Sequence, residues 1–170
     1  MIKIDVKVTI TPDTTYEEWK REMEYEISRE DFENSNERGN SFTGDLFSAT
    51  FKLEQGIDWI KRFFDESYEK YLGTEHNHSY RNQMEAVLYY ITDITPSGTI
   101  LNMIKKALQL KREYGLVDMA IQVFDGCDEY EIPEGIDILK EAMPFNNRYL
   151  DDYAEKVIEQ IQMEHPYLYC

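Results

Sequence analysis

Residues 117–123 read VDMAIQV, and an apolar side chain stands at every second position. This alternation is typical of a β-strand with one covered face. The same period of two occurs over residues 2–10 and residues 47–53. A short stretch at 130–132 follows an acidic turn and is expected to pair back on the preceding strand. We therefore predict an α+β fold, rich in helix, with a small sheet of three to four strands.

Between these stretches, apolar residues recur at intervals of three and four, which is typical of amphipathic helices. The first such helix is predicted over about residues 15–30. Its predicted inward face consists of Tyr16, Trp19, Met23 and Ile27. Thr14 stands at the start of this helix and Glu17 follows three residues later, which fits a capping box. We expect Thr14 to be the N-cap residue.

Four further helices are predicted from the same periodicity. Their apolar positions are Ile57, Ile60, Phe63, Phe64, Tyr68 and Tyr71; Met84, Val87, Leu88 and Ile91; Ile100, Leu101, Ile104 and Leu108; and Leu150, Tyr153, Val157 and Ile161. Gly73 is expected to end the first of these, Ser79 to cap the second and Gly115 to end the third. Pro133 is well placed to open a short helix, and the last helix is predicted over about 147–164.

The composition is that of a globular protein with a core. The chain has 170 residues, of which 42% are hydrophobic and 14% aromatic, enough to offset the entropy lost on ordering. The start of the chain lacks the continuous apolar stretch of a secretory signal, and no stretch approaches the roughly 20 apolar residues of a membrane span. The cysteines, Cys127 and Cys170, form no CxxC pair. We predict one domain over residues 1–170, located in the cytoplasm, with no membrane association.

Negative charge is the dominant property of this sequence. The formal net charge is −16. Two segments carry all of it, since residues 13–37 have a net charge of −7 and residues 125–164 have a net charge of −9. Such a surface is repelled by nucleic acid and anionic lipid and is attracted to basic surfaces. We therefore expect no direct nucleic-acid binding, and a basic protein as the partner.

Within those two segments, acidic residues recur every four positions. The residues concerned are Glu18, Glu22, Glu26 and Glu30 near the N-terminus, and Asp151, Glu155 and Glu159, with Asp152 beside them, in the last predicted helix. Residues four apart share one helix face and lie about 6 Å apart. This interval is comparable with the spacing of phosphates along a nucleic-acid strand. We predict that these eight residues bind the partner; the alternative is that they are solvated helix faces with no partner.

Residues 73–79, GTEHNHS, hold two of the three histidines. Glu75, His76 and His78 could supply three ligands to a metal ion if the loop curls, but no pattern in the sequence points to a fourth ligand. A capping loop before a helix is the favoured interpretation, because asparagine and serine are common N-caps. A metal-dependent enzyme that uses this loop stays as an alternative from another class.

Motifs for other chemistry are absent from the sequence. There is no GxxxxGK[ST] or GxGxxG phosphate loop and no GxSxG elbow. Cys127 has acidic neighbours on both sides, and their charge disfavours the thiolate form that a nucleophile needs. The one basic cluster consists of Lys105, Lys106, Lys111 and Arg112. It lies near a predicted helix end, where cations suit the helix dipole. We expect no catalytic residue, no metal site and no cofactor.

In charge and length, although in no motif, the chain resembles small acidic inhibitors encoded by phages and mobile elements, including anti-CRISPR and antirestriction proteins. It equally resembles immunity proteins that neutralise nuclease toxins. The first resemblance implies a non-catalytic inhibitor that covers the basic, nucleic-acid-binding surface of a nuclease, with Tyr and Trp side chains as apolar anchors. The second implies the same surface directed at a cognate toxin. A scaffold or assembly factor is a further alternative, and the sequence does not indicate the oligomeric state.

Overall fold

The structure is a computed structural model, and it describes residues 10–29, 43–75, 78–91, 99–124, 132–164 and 166. All regular secondary structure within these ranges is helical. The helices are α1 (Tyr16–Arg29), α2 (Thr43–Phe51), α3 (Gly56–Leu72), α4 (His78–Tyr90), α5 (Thr99–Gln109), α6 (Tyr114–Phe124), α7 (Ile132–Ala142) and α8 (Arg148–Glu164). They pack together as a helical bundle.

The predicted sheet is wrong for both strands that the described residues cover in full. Residues 47–53 lie in α2 and the turn after it, and residues 117–123 lie in α6. The buried residues of α6 are Leu116, Val117, Ala120, Ile121 and Val123. Leu116 and Ala120, Val117 and Ile121, and Ala120 and Val123 stand three or four residues apart, as on one face of a helix. The alternating pattern left out Leu116 and Ala120, and these two side chains complete the helical face.

The other two predicted strands fall largely outside the described residues. Of the strand predicted over 2–10, only Ile10 is described, and it precedes α1 without regular secondary structure. Of the piece predicted at 130–132, only Ile132 is described, and α7 begins there. Over the described residues the class is therefore an all-helical bundle, in place of the predicted α+β fold.

Helices α4 and α6 form the centre of the bundle. α4 contacts α1, α3 and α6, whereas α6 contacts α4, α5, α7 and α8. Six consecutive residues of α4, Gln83–Leu88, are buried, so this helix is covered on several sides. α1 packs mainly on α2 and α4, while α8 packs mainly on α6 and α7. The two acidic helices therefore have no main neighbour in common.

Several helix boundaries agree closely with the prediction. α1 and α8 each begin and end within one residue of the predicted bounds. Gly73 is the C-cap of α3, and its N–H donates hydrogen bonds to Glu69 O and Lys70 O. Pro133 is the second residue of α7, where its missing N–H leaves no helical hydrogen bond unmade. The predicted inward faces of α1 and α8 are also covered, with only Tyr153 of α8 half-buried.

The capping box of α1 lies one residue later than predicted. Glu18 N donates to Thr15 Oγ1 at 3.2 Å, and Thr15 N donates to Glu18 Oε1 at 3.4 Å. Thr14 Oγ1 instead accepts a hydrogen bond from Thr11 N at 2.9 Å. The predicted pair of Thr14 and Glu17 is therefore wrong, because Thr14 closes the turn before the helix.

Two other boundary predictions are wrong. Ser79 lies inside α4, which begins one residue earlier, so Ser79 is not its N-cap. α5 ends at Gln109, and the chain then turns before α6 begins. Glu113 N donates to Leu110 O at 2.9 Å in this turn. Gly115 consequently lies in the first turn of α6 and does not end α5.

α1 is fixed to α2 and α3 at a buried corner. Trp19 is fully buried, and its Nε1 donates a hydrogen bond to Thr50 Oγ1 at 2.8 Å. The Thr50 hydroxyl donates in turn to Leu46 O at 2.6 Å. The Trp19 ring centroid lies 5.7 Å from that of Trp59 and 5.6 Å from that of Phe63. Aromatic packing and the hydrogen bonds of Trp19 and Thr50 therefore stabilise the same corner.

Gly56 allows α2 and α3 to meet closely. It is the first residue of α3, and its N–H donates to Leu53 O at 3.1 Å. A Cβ atom at this position would lie 1.9 Å from Thr50 O. Any other residue would have to displace backbone, so glycine is required here by the close approach of the two helices.

Candidate functional site

The outer side of α8 carries the most exposed part of the predicted binding set. Asp152, Glu155 and Glu159 are all exposed. Asp152 Oδ2 lies 3.9 Å from Arg148 Nε. Glu155 and Glu159 make no ion pair or hydrogen bond with any residue that the structure describes. These acids face outward because the apolar residues of α8 cover its opposite side and pack on α6 and α7.

Two large apolar side chains flank these acids. Tyr149 is 67% exposed and Met163 is 74% exposed. Positions 149, 152, 155, 159 and 163 follow intervals of three and four, so they form one stripe along the helix, and the exposed Lys156 lies among them. At a rise of about 1.5 Å per residue, this stripe is about 21 Å long. We define the α8 face as Tyr149, Asp152, Glu155, Glu159 and Met163. The sequence prediction missed both flanking residues, although their spacing relative to the acids could have identified them.

Asp151 does not belong to the α8 face, although it was predicted to bind the partner. Its side chain is half-buried, and its Oδ1 accepts a hydrogen bond from Phe145 N at 2.8 Å. Phe145 is itself buried in the connection between α7 and α8. An acid in the first turn of a helix is also favoured by the helix dipole. Asp151 therefore fixes the start of α8 to the preceding loop.

The fold divides the acidic ladder that was predicted on α1. Glu18 is exposed but takes part in the capping box. Glu22 is exposed, and desolvation followed by the negative charge of Glu26 raises the pKa of its carboxyl. Glu26 is only 9% exposed, and its Oε1 lies 3.8 Å from Arg29 NH1. Glu30 lies outside the described residues. Of the three that are described, Glu22 alone is exposed without such a structural contact.

Cations also compensate the remaining charge of α1. Glu17 Oε1 lies 3.8 Å from NH2 of Arg62 on α3. Glu24 Oε1 lies 4.0 Å from Lys20 Nζ. Exposed pairs of this kind contribute little stability, but they lower the negative potential that an approaching cationic partner would meet.

Glu66 of α3 joins α1 and α3 through three donors. Its carboxylate accepts from Lys20 Nζ at 2.6 Å, from the Tyr16 hydroxyl at 2.9 Å and from Arg62 Nε at 2.9 Å. Partial burial opposes the charged form, but the hydrogen bonds from Lys20 and Tyr16 outweigh it and lower the pKa of Glu66. Burial and the adjacent Glu66 raise the pKa of Tyr16. This cluster stabilises the fold and leaves the Glu66 carboxylate little capacity for a ligand.

A cleft of about 400 Å³ lies between α4, α6 and the turn before α6, and the sequence prediction did not identify it. On one wall, Arg81 NH1 lies 3.3 Å from Glu113 Oε2, and Glu113 Oε1 accepts from the Tyr71 hydroxyl at 2.7 Å. Burial, then the hydrogen bond to Glu113, raises the pKa of Tyr71 to about 12. Arg81 Nε also lies 3.9 Å from Oε1 of the buried Glu85. On this wall one guanidinium is therefore paired with two carboxylates.

Asp118 of α6 forms the other polar part of this cleft. Its Oδ2 accepts a hydrogen bond from Gln122 Nε2 at 2.8 Å. Its Oδ1 is buried and has no hydrogen-bond partner among the described atoms. Burial raises the pKa of this carboxyl, although the nearby Gln122 amide and the Tyr149 hydroxyl oppose the shift. Asp118 was predicted to lie on the polar side of a strand, and only the packing of α6 shows its environment.

Exposed tyrosines surround the same cleft. Tyr89 of α4 and Tyr114 of α6 line it, and they are 39% and 49% exposed. Tyr149 of the α8 face lies close enough for its hydroxyl to interact with Asp118. Large exposed aromatic side chains are enriched at protein interfaces. The cleft is therefore adjacent to the α8 face, because Asp118 of the cleft lies near Tyr149 of that face.

The histidine loop is only partly covered by the described residues. Glu75 is exposed in the turn after α3, and His78 is exposed as the first residue of α4. His76 lies outside the described ranges, as do Cys127, Cys170 and the only other histidine, His165. Within the ranges that are described, no three His, Cys, Asp or Glu side chains lie close enough together to hold a metal ion.

The basic cluster predicted near a helix end does not form one patch. Lys106 Nζ lies 2.6 Å from Asp65 Oδ1 and thereby connects α5 to α3. Lys111 Nζ donates to Pro144 O at 3.1 Å in the loop before α8. Arg112 lines the cleft beside α6, and Lys105 is exposed on α5. The four cations therefore serve different contacts.

Comparisons with known proteins identify no relative. No protein-family model, no curated protein and no solved structure matches this chain. Among the helices of the described ranges, none combines the length and the apolar character that crossing a membrane requires. The functional argument consequently depends on the α8 face and on the cleft next to it.

Proposed function

We propose that this chain is a non-catalytic, cytoplasmic inhibitor that binds a basic protein, namely a nuclease, and covers its nucleic-acid-binding surface. The proposal takes the α8 face as the principal contact surface. The proposed inhibitor is of the anti-defence type, like anti-CRISPR and antirestriction proteins.

The exposure of the α8 face is the observation that supports this proposal best. Its three acids project from a helix that is packed on its other side, and neither Glu155 nor Glu159 makes an ion pair with a described residue, although the exposed Lys156 lies between them in the chain. A partner cation would therefore not have to displace an internal ion pair at those two positions. Tyr149 and Met163 supply apolar contact area at the two ends, as binding hot spots require.

The dimensions and charge of this face suit a nucleic-acid channel. The stripe is about 21 Å long, which corresponds to the axial rise of about six phosphates of one strand at roughly 3.4 Å each. The net charge of −16 favours rapid association with a positively charged groove and disfavours binding to nucleic acid itself. An occupied groove would then be closed to its substrate.

The test combines capture of a partner with a measurement of its association rate. The chain is immobilised, exposed to host extract at about 50 mM salt, and the retained protein is purified. Its association with the chain is then measured against salt concentration for the wild type and for Asp152→Asn/Glu155→Gln/Glu159→Gln. We expect this variant to associate about tenfold more slowly or worse, with a weaker salt dependence, because electrostatic steering is lost. Cleavage by the captured nuclease is expected to be inhibited by the wild type.

A second triple variant serves as the matched control. Asp58, Glu69 and Glu134 are exposed acids on α3 and α7 and do not belong to the α8 face. Asp58→Asn/Glu69→Gln/Glu134→Gln changes the net charge by the same amount and is expected to retain most of the association rate. Equal losses of association rate in the two variants would show that only the net charge matters. A captured partner that is not basic and does not bind nucleic acid would refute the proposed function.

A further inference from the structure

We propose that the cleft between α4 and α6 binds the guanidinium group of an arginine side chain that projects from the basic partner protein. This inference rests on the proposed function, because it assigns to that partner the arginine that reaches the cleft beside the α8 face.

Asp118 is the expected acceptor in this site. Gln122 donates to its Oδ2 at 2.8 Å and the Tyr149 hydroxyl lies near the carboxylate, while the buried Oδ1 accepts no hydrogen bond from a described residue. A buried acceptor without a donor is unfavourable, so an incoming N–H group that reaches this carboxylate relieves the cost of its burial. Tyr149, the residue next to it on α8, is largely exposed and can move aside without loss of core packing.

The charge balance of the cleft favours a cation over an anion. Its carboxylates are Glu85, Glu113 and Asp118, and its guanidinium groups are Arg81 and Arg112. Arg81 lies between Glu85 and Glu113, at 3.9 Å and 3.3 Å, and forms ion pairs with both, although its buried Nε makes no hydrogen bond with a described atom. Asp118 has no cation within ion-pair distance among the described residues and is the acid that a ligand would neutralise.

Arginine fits this cleft better than lysine. A guanidinium is planar, so it can donate to a carboxylate while its face stacks on an aromatic ring. Tyr89 and Tyr114 line the cleft with exposed rings, and Met119 adds apolar surface for the aliphatic stem. An ammonium group would gain the charge interaction but not the stacking geometry.

The probe for this site is N-acetyl-L-arginine amide, titrated into the full chain and followed by two-dimensional amide NMR. N-acetyl-L-citrulline amide is the neutral analogue of the same shape, and N-acetyl-L-lysine amide carries the charge without the planar group. We expect saturable shifts in α4 and α6 with the arginine compound, weaker binding of the lysine compound and no saturation with the citrulline compound.

Two substitutions locate the binding. Asp118→Asn keeps the size of the side chain and is expected to weaken arginine amide binding about tenfold, because a charged hydrogen bond is lost. Tyr114→Leu is expected to weaken it less. Asp137→Asn and Tyr25→Leu change exposed residues of α7 and α1 and should leave the affinity unchanged. Melting temperatures of all four variants establish that they are folded.

The outcomes separate this inference from the proposed function. The cleft assignment is overturned if arginine amide binds no better than the citrulline compound, or if it binds Asp118→Asn as tightly as the wild type. Either result would hold even if a nuclease is captured through the α8 face. Arginine binding that depends on Asp118 supports the cleft assignment. In that case, the failure of any basic protein to bind the α8 face refutes the proposed function alone.

Discussion

Helices α1 and α8 both carry acids at intervals of four residues, yet the fold uses Glu18 and Glu26 of α1 in internal contacts and leaves Glu155 and Glu159 of α8 at the surface. On α1, Glu18 takes part in a cap and Glu26 is buried beside Arg29. On α8, Glu155 and Glu159 are exposed without a described partner. A regular acidic interval therefore identifies a helix face, but it does not tell whether that face meets protein or solvent.

The difference follows from what lies beside each helix. α1 packs into a corner formed by α2, α3 and α4, and the cations of α3 and of α1 itself reach its acids. α8 packs at the edge of the bundle on α6 and α7, and the cations it carries, Arg148 and Lys156, are fewer than its acids. The same acidic interval is thus neutralised in one place and available in the other.

The largest expected effect concerns the buried side of α1. Trp19→Ala removes a fully buried ring and its hydrogen bond to Thr50, and should lower the free energy of unfolding by about 3–5 kcal/mol. Tyr149→Ala on α8 removes an exposed ring and should change it by no more than about 0.5 kcal/mol. Urea denaturation measures both. A similar loss in the two variants would contradict the contrast between the helices.

Glu66 tests the polar contact that fixes α1. Glu66→Gln weakens the bonds to Tyr16, Lys20 and Arg62 and should cost about 1–3 kcal/mol at neutral pH. Glu155→Gln on α8 breaks no described contact and should cost almost nothing. If Glu155→Gln proved as destabilising as Glu66→Gln, the α8 face would have a structural role.

The ionisation of Glu66 predicts that the stability of the protein depends on pH. The pKa of Glu66 is lowered in the folded protein from its ordinary value of 4.5. Its contribution to stability is therefore present above that value and is lost as the pH falls through the lowered folded pKa. Unfolding free energies measured from pH 7 downward should decline less steeply in acid for Glu66→Gln than for the wild type. Equally steep declines of the unfolding free energy in the wild type and in Glu66→Gln would show that Glu66 is not the titrating group.

Neighbouring acids within α8 provide a smaller test. Asp151→Ala leaves Phe145 N without its acceptor and should lower the free energy of unfolding by about 1–2 kcal/mol. Asp152→Ala removes only an exposed carboxylate 3.9 Å from Arg148 and should change it by no more than about 0.5 kcal/mol. Thermal melts of the two variants show which of them loses more stability. A larger loss for Asp152→Ala would show that Asp152 is the structural residue.

The smallest expected effect has the opposite sign. Glu22 and Glu26 stand four residues apart on α1, and desolvation and this like charge raise the pKa of Glu22. Glu22→Gln should therefore stabilise the protein near neutral pH by about 0.2–0.5 kcal/mol, and the gain should vanish in acid, where Glu22 is protonated in the wild type. Lower stability at pH 7 would show that Glu22 has a favourable partner.

Part of this arrangement could be predicted from the amino-acid order alone. The bounds of α1 and α8, the end of α3 at Gly73 and the place of Pro133 depend on side chains within a few residues of each other. Local periodicity failed over 47–53 and 117–123, because apolar residues over so short a stretch can satisfy both a strand pattern and a helix pattern. Neighbouring helices decided which pattern applied.

The candidate site was predictable only in part for the same reason. Asp152, Glu155 and Glu159 are exposed, as the α8 periodicity indicated, whereas Asp151 and Glu26 are taken up by the fold. The cleft could not be predicted, since it brings Glu85 and Asp118 of different helices to one space. No short interval in the chain encodes that proximity.

By itself the sequence determined the net charge, the ends of several helices and the face of α8 that carries the acids, because each depends on composition or on contacts within one or two helical turns. Only the tertiary structure decided that residues 117–123 form a central helix and which acids remain exposed. It also decided that Glu66 binds Tyr16 of α1, although the two residues are fifty positions apart in the chain. Those properties depend on which surfaces the helices bury against each other. Burial between distant segments sets both the environment of a carboxylate and its availability to a partner.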